Sequence, residues 1–313
     1  MSTREPLNLK PTIHYLQTLE WKYLKSEGLG LEGLFEVLND EPLVSVVGHI
    51  SSQKPKRFSR KRRVLEIFFG PYFDLSKSNL EFEAQVLNNL VALAKRKSCQ
   101  EIRHMAYVGE GDRYFSLGRL ESALKAIPIP YAVRELETSI YDLDLHIFGE
   151  LNSASRSSRK NLRHAAEIQI IQAKSEGEIK QYFKELSRIK GRQVPEEREL
   201  EANAKYSSHR FLFLAQKPFS GECVGTLGFI HDNYMAVEIA SSTLKGPEMR
   251  GVQEKLHLHA FDMAKKSGLK KFDLAGLERE SGGDWNSIAK FKLKFGGTIV
   301  KQGIIDINIC GAE

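Results

Sequence analysis

Cysteine is scarce in this chain of 313 residues, with Cys99, Cys223 and Cys310 as the whole complement. An odd number, so widely separated, signals neither a disulfide framework nor a zinc cluster. Cys223 opens an expected core strand and reads as a small hydrophobe. Long hydrophobic runs are lacking too. The longest, such as Val91–Ala94, fall far short of the ~18 residues that a membrane span needs. The opening Met1-Ser-Thr-Arg-Glu-Pro6 is polar and has no signal-peptide core. No integral membrane segment is therefore expected, and the expected setting is soluble, reducing and cytoplasmic. There is also no Walker loop and no nucleophilic triad.

What is present is an ordinary globular composition. It is 41% hydrophobic and 27% charged, with 24 Gly and 10 Pro, which excludes collagen-like and disordered classes. At roughly 150 residues per domain, the length points to two domains, each able to bury its own core, and a monomer is expected. Lys and Arg number 46 against 40 Asp and Glu, a net +6. Charge on this scale speaks of partners rather than of fold. Its placement says more: Lys54, Lys56, Arg57, Arg60, Lys61, Arg62 and Arg63 crowd one stretch, and Arg156, Arg159, Lys160 and Arg163 another. Both suit a polyanion, and the first equally suits a solvated loop.

Periodicity gives strands at 42–50 and 64–69, a helix at 82–96, a strand at 101–107, a helix at 116–127 and a strand at 131–136. A Ser-rich break over Asn152–Ser158 precedes a short basic helix at 158–166, with Ser157 or Ser158 as its cap. The second half repeats the order. A helix at 175–190 leads to strands at 210–215, 222–230 and 234–240, then a helix at 252–267 that stops at Gly268, then a strand at 271–274. The pattern is that of two α/β (α+β) lobes with mixed sheets, 1–150 and 151–313.

The most informative stretch is Lys271–Gly297. A buried strand ends at Gly276, a loop crosses over, and Asp284 can cap a helix that closes at Gly296. Ile288, Phe291 and Phe295 fall at helical spacing and should anchor it. Lys292 sits at the edge of that stripe, whereas Lys290 and Lys294 read as favourable cations in the last turns.

Several short segments together resemble one family. They are Phe272-Asp-Leu-Ala-Gly276 followed by Phe291-Lys-Leu-Lys-Phe-Gly296, then Phe69-Gly-Pro-Tyr-Phe-Asp74, Glu20-Trp-Lys-Tyr-Leu-Lys25, and Tyr141-Asp-Leu143 with Ser158-Arg-Lys-Asn-Leu-Arg163. In this order and spacing the chain resembles the Fem family of non-ribosomal peptidyl transferases, which build peptidoglycan interpeptide bridges from aminoacyl-tRNA. The resemblance implies two tandem GNAT-like acyltransferase domains, with mixed, mostly antiparallel sheets and a cleft between them. It implies aminoacyl-tRNA as donor with no further cofactor or metal. The acceptor would be the amine of a nucleotide- or lipid-linked peptidoglycan precursor or a small peptide. Lys292 would be the functional lysine, with Phe291 steadying its stem.

That role is chemically sensible. An aminoacyl ester is already activated, so the need is for charge stabilisation on its carbonyl oxygen. A fixed ammonium there would contribute about 3–4 kcal/mol. Lys25 falls where the family carries a lysine on the precursor's pyrophosphate, and Arg159 and Arg163 are further phosphate contacts. No convincing general base is visible.

The chain also departs from the family. Compact members carry an arginine and a tyrosine four residues apart before the second sheet; here Gly191–Arg198 lacks the pair and Arg192 is a loose candidate. An aromatic position on the central strand reads Val237-Glu-Ile-Ala240. Both departures bear on a UDP-linked acceptor.

Two other readings compete. An acyl-CoA-dependent GNAT enzyme acting on an amino sugar or lipid would cradle pyrophosphate at a helix N-terminus. Met249–Lys255 keeps Arg250 and Gly251 for that role but places Glu254 beside it. An RNA-binding module would rest on the basic patches alone. His257 and His259 look like a metal pair, but i and i+2 side chains on a helix diverge. Asp142 and Asp273 sit in strands and should organise backbone.

Overall fold

The computed structural model describes residues 19–39, 44–53, 62–74, 78–107, 116–150, 156–277 and 284–309. The first of these form a short helix, α1 (Leu19–Tyr23), that continues as one π turn over Leu24–Gly28. Strands β1 (Glu32–Asn39), β2 (Val44–Gln53) and β3 (Arg62–Phe68) follow as an antiparallel meander. Helix α2 (Leu80–Arg96) starts where the Asn79 side chain accepts the Phe82 N–H at 2.9 Å. Its stripe of Val86, Leu87, Leu90, Val91 and Ala94 is buried as the spacing predicts, worth roughly 1.5–3 kcal/mol for each large side chain. The chain returns as β4 (Glu101–Tyr107), parallel to β3, then α3 (Leu117–Lys125) and β5 (Tyr131–Asp142).

The second half begins with α4 (Arg156–His164), β6 (Gln169–Gln172), α5 (Glu176–Lys190) and α6 (Glu197–Lys205). A capping box of Ser175 and Glu178 starts α5, and Gly191, in the left-handed region at φ 62°, ends it. Then the first-half order recurs. Strands β7 (Arg210–Gln216), β8 (Cys223–His231) and β9 (Met235–Thr243) form a meander. Helix α7 (Val252–Lys266) leads to β10 (Lys271–Asp273), parallel to β9; α8 (Asp284–Leu293) and β11 (Thr298–Asn308) follow.

The two sheets implied by the sequence are joined. All eleven strands form one sheet in the order β1-β2-β3-β4-β11-β5-β10-β9-β8-β7-β6, with eight antiparallel and two parallel pairings. Each half sends its last strand across. Strand β5 pairs with β10, and β11 fills the place between β4 and β5. The cause is burial: Ile305, Ile307 and Ile309 complete the first-half core beneath α2 and α3. The sheet is thus continuous between the two halves. A smaller correction concerns α4, which starts at Arg156, so Ser158 lies buried within the helix rather than capping it.

Candidate functional site

The Phe-Asp-Leu-Ala-Gly segment lies where the halves interleave. Asp273, at the end of β10, is fully buried. Its carboxylate accepts from Tyr107 Oη of β4 at 2.7 Å, Gln302 Nε2 of β11 at 3.2 Å, Thr138 Oγ1 of β5, and the Ala275 N–H at 2.7 Å. One side chain therefore ties four strands together. Burial pushes its carboxyl up, against the hydrogen bonds of Thr138, Tyr107 and Ala275 and the charge of Lys292. Phe69, from the Gly-Pro segment, stacks on Tyr107 at 4.6 Å. Two of the segments that carry the family resemblance thus meet here. Ala275 is left-handed at φ 56°, a bend that a β-carbon disfavours and that the Asp273 hydrogen bond holds.

That bend presents carbonyls to α8. Lys292 Nζ donates to Ala275 O at 2.9 Å and to Gly276 O at 3.4 Å. An ammonium has three N–H groups, so among the described residues one is left for a ligand. Phe291 meets Phe295 edge-on at 5.1 Å and His257 at 5.4 Å, and His257 stacks on Phe295 at 4.9 Å. The three rings fix the base of the lysine stem. Ile288, expected as an anchor, is 39% exposed and stands at the mouth of a cleft instead.

The cleft, about 280 Å³, lies between β9, α7 and α8. Lys292, Phe291 and Ser287 line it from α8, Gln253 and His257 from α7, and Glu238 and Ser241 from β9. Glu238 and His257 are buried and meet at 3.3 Å, Oε2 to Nε2. Ser241 Oγ donates to Glu238 Oε1 at 2.7 Å. Burial raises the Glu238 carboxyl, but the hydrogen bond and charge of His257, the charge of Lys292 and the Ser241 hydrogen bond outweigh it and hold the group below its ordinary value. His259 turns away to pack edge-on against Phe213 at 4.9 Å, as the i, i+2 spacing requires. Among the described residues no cluster of His, Cys, Asp and Glu suits a metal. Glu238 is the residue that sequence reasoning misses. Its signal is a lone carboxylate within Met235-Ala-Val-Glu-Ile-Ala240.

Further positive charge lies within electrostatic reach of Glu238 and Lys292. Lys190, at the end of α5, is held below its usual value by partial burial and by the charges of Arg192 and Lys292, against the pull of Glu238. Arg192 thus joins the surroundings of the cleft, although it does not line it.

The other expected contacts lie elsewhere. Lys25 is half-buried in the π turn, its ammonium 4.3 Å from the Trp21 ring centroid. Burial lowers its pKa, Glu66 opposes this and Arg210 adds to it, so it is not a fully solvated lysine. The turn docks on α6, where Tyr206 Oη donates to Glu27 at 2.7 Å and stacks on Tyr23 at 5.6 Å. A second cavity, about 290 Å³, separates Gly28 and Leu29 from the α5–α6 connection at Gln193–Glu196. Arg159 and Arg163 are exposed on α4 and do not line the Lys292 cleft. Of the basic loop, Lys54, Lys56, Arg57, Arg60 and Lys61 lie outside the described residues. Arg62 is exposed at the start of β3, and Arg63 is paired with Glu32 at 2.7 Å.

The helix N-termini that would take a pyrophosphate carry acid instead. Gly251 precedes α7 at φ 87°, and a Cβ there would lie 2.0 Å from Asn161 O of α4. Glu254, buried in the first turn, accepts from Asn161 Nδ2 at 2.9 Å. In the first half, Glu83 of α2 is buried beneath Arg119, whose Nε donates to it at 2.8 Å.

No family model matches the sequence, and no curated protein is similar to it. Solved structures are similar. FemX superposes with a TM-score of 0.71 at 14% identity, over 94% of this chain and 93% of that one. The C-terminal domain of a putative lysylphosphatidylglycerol synthetase from Agrobacterium fabrum gives 0.59 at 11% identity, over 93% and 87%. L-PGS from Bacillus licheniformis gives 0.56 at 13%, over 91% and 90%. At such identities the likeness fixes the fold. Two halves with the same order of elements, joined in one sheet through exchanged strands, give this chain the fold of FemX.

Proposed function

We propose that the protein is a Fem-like acyltransferase that moves an aminoacyl group from aminoacyl-tRNA to the amine of a cell-wall peptidoglycan precursor or similar peptide. The observation that carries this reading is Lys292. Two backbone carbonyls hold its ammonium at the edge of the cleft, and among the described residues one N–H is unspent. That N–H stabilises the oxyanion that forms when the acceptor amine attacks the ester carbonyl, and it does so without reorganising. The charge of Lys190, within electrostatic reach of Lys292 and Arg192, suits a phosphate-bearing substrate. The buried Glu83 and Glu254 place negative charge where a CoA pyrophosphate would sit, which favours a tRNA donor over a thioester.

The test is a transfer assay with pooled radiolabelled aminoacyl-tRNAs and a mixture of muropeptide precursors, with and without RNase. RNase-sensitive label in a precursor is the expected result. Absence of transfer, with turnover of an acyl-CoA on an amino sugar or lipid amine, would replace this reading with acyl-CoA-dependent N-acylation.

A further inference from the structure

We propose that Glu238 is the proton acceptor for the attacking amine, reached through the Ser241 hydroxyl and steadied by His257. The proposal rests on the transfer reading above, which leaves the amine proton without a destination. Among the described residues that line the cleft, Glu238 is the one carboxylate and His257 the one imidazole.

Hydrogen-bond chemistry defines the pair. His257 Nδ1 lies 2.8 Å from the Gln253 carbonyl, which can only accept, so Nδ1 carries hydrogen. Nε2 then faces Glu238 Oε2 at 3.3 Å, a contact that needs one hydrogen between the two atoms. Oε1 is left to Ser241, 2.7 Å away. His257 on α7 and Lys292 on α8 line the cleft beside this carboxylate, and Tyr182 and Lys190 on α5 lie within its electrostatic reach. Three of these are basic side chains, so Glu238 stays ionised and ready to accept.

The step balances on these atoms. The amine nitrogen attacks the ester carbon, a C–N bond forms, and the carbonyl π pair moves onto oxygen beside Lys292. An N–H proton passes to Ser241 Oγ as the serine's own proton moves to Glu238 Oε1. When the carbonyl re-forms, the bond from carbon to the ribose oxygen breaks, and that oxygen takes the proton back along the same route. The products are an amide and an alcohol, and the side chains end as they began.

The test compares Glu238→Gln and Glu238→Ala with the unaltered protein in steady-state transfer, with folding checked by melting. Glu238→Gln keeps partners for Ser241 and His257 but cannot accept a proton, and kcat should fall about 10²–10⁴-fold with KM for the donor little changed. Glu238→Ala leaves room for a small carboxylate, so added formate should restore kcat saturably. Formate should do nothing for Glu66→Ala. A folded Glu238→Gln protein with unaltered kcat overturns the proposal. So does a Glu238→Ala protein whose loss formate does not relieve while KM rises. If Glu238→Ala fails to fold, kcat of Glu238→Gln decides. If the unaltered protein uses a CoA thioester and not aminoacyl-tRNA, the donor reading fails; the same variants then judge Glu238 on that reaction, because the amine must still lose its proton.

Discussion

The two halves each collect a carboxylate, an imidazole, a hydroxyl and a lysine, and use them differently. In the first half Glu66 of β3 faces His49 directly across the β2–β3 ladder, Oε2 to Nε2 at 3.2 Å, and accepts from Ser51 at 2.8 Å. In the second half Glu238 occupies the corresponding strand, β9, but its histidine comes from a helix. Lys25 lies within electrostatic reach of Glu66, as Lys292 lies within reach of Glu238. The first set is closed. Burial pushes Glu66 up, but the hydrogen bonds of His49 and Ser51 and the charges of His49 and Arg103 bring it down to about 2. The second set opens onto a cleft because α8 stands off β9. The same residue types are structural where neighbouring strands satisfy them and reactive where volume is left beside them.

The largest effect that would sharpen this contrast is on the lysines. Lys292→Met should lower kcat about 10²–10³-fold, whereas Lys25→Met should act on acceptor KM and spare kcat. Equal losses of kcat at both would break the comparison. Asp273→Asn comes next. It leaves one oxygen for donors from Tyr107, Thr138, Gln302 and Ala275, and should cost about 2–3 kcal/mol in denaturant unfolding. Activity should fall as well, because the Ala275 carbonyl that holds Lys292 is released.

Glu66 gives a pH signature. Its folded value of about 2 lies below the ordinary 4.5, so its stabilisation is complete above the unfolded value and is lost as pH falls through the folded one. After discounting for solvent screening, a shift of this size is worth about 2 kcal/mol. Unfolding free energies measured between pH 7 and pH 2.5 should fall less steeply for Glu66→Gln than for the unaltered protein.

Periodicity made the helices legible. α2, α5 and α7 lie within two residues of their expected ranges because each carries an unbroken apolar stripe with a cap or a glycine at its end. Strand β11 was not legible. Thr298–Asn308 has a strand's alternation, but its partners, β4 and β5, lie far back in the sequence, with Asn308 opposite Glu101 and Thr298 opposite Ile140, and nothing local specifies that pairing. Lys292 and Phe291 could be singled out as candidates because they lie in a contiguous segment that resembles one family. Glu238 could not, since its meaning depends on a histidine nineteen residues on in sequence and in another layer. Helix spacing sets His257 and His259 on diverging directions, but it does not say which carboxylate the His257 ring meets.

The smallest expected effect is none at all, and it tests a feature the two halves share. A CoA-binding unit of this fold needs a helix N-terminus with free N–H groups and no competing negative charge. Both helices that follow a meander, α2 and α7, bury a glutamate in the first turn, Glu83 under Arg119 and Glu254 against Asn161. At α7 the close approach of Asn161 O to Gly251 also fills the space in front of the helix. A pyrophosphate entering either position would have to displace a satisfied hydrogen bond and sit beside a carboxylate. Acetyl-CoA at millimolar concentration should therefore leave the melting temperature where it was. Saturable binding at 100 times Kd would add about 2.7 kcal/mol to the folded state, a rise easily seen by scanning fluorimetry. A rise that survives in Glu83→Lys but vanishes in Glu254→Lys would place the thioester on the second half alone, and only there would the Lys292 cleft be within its reach.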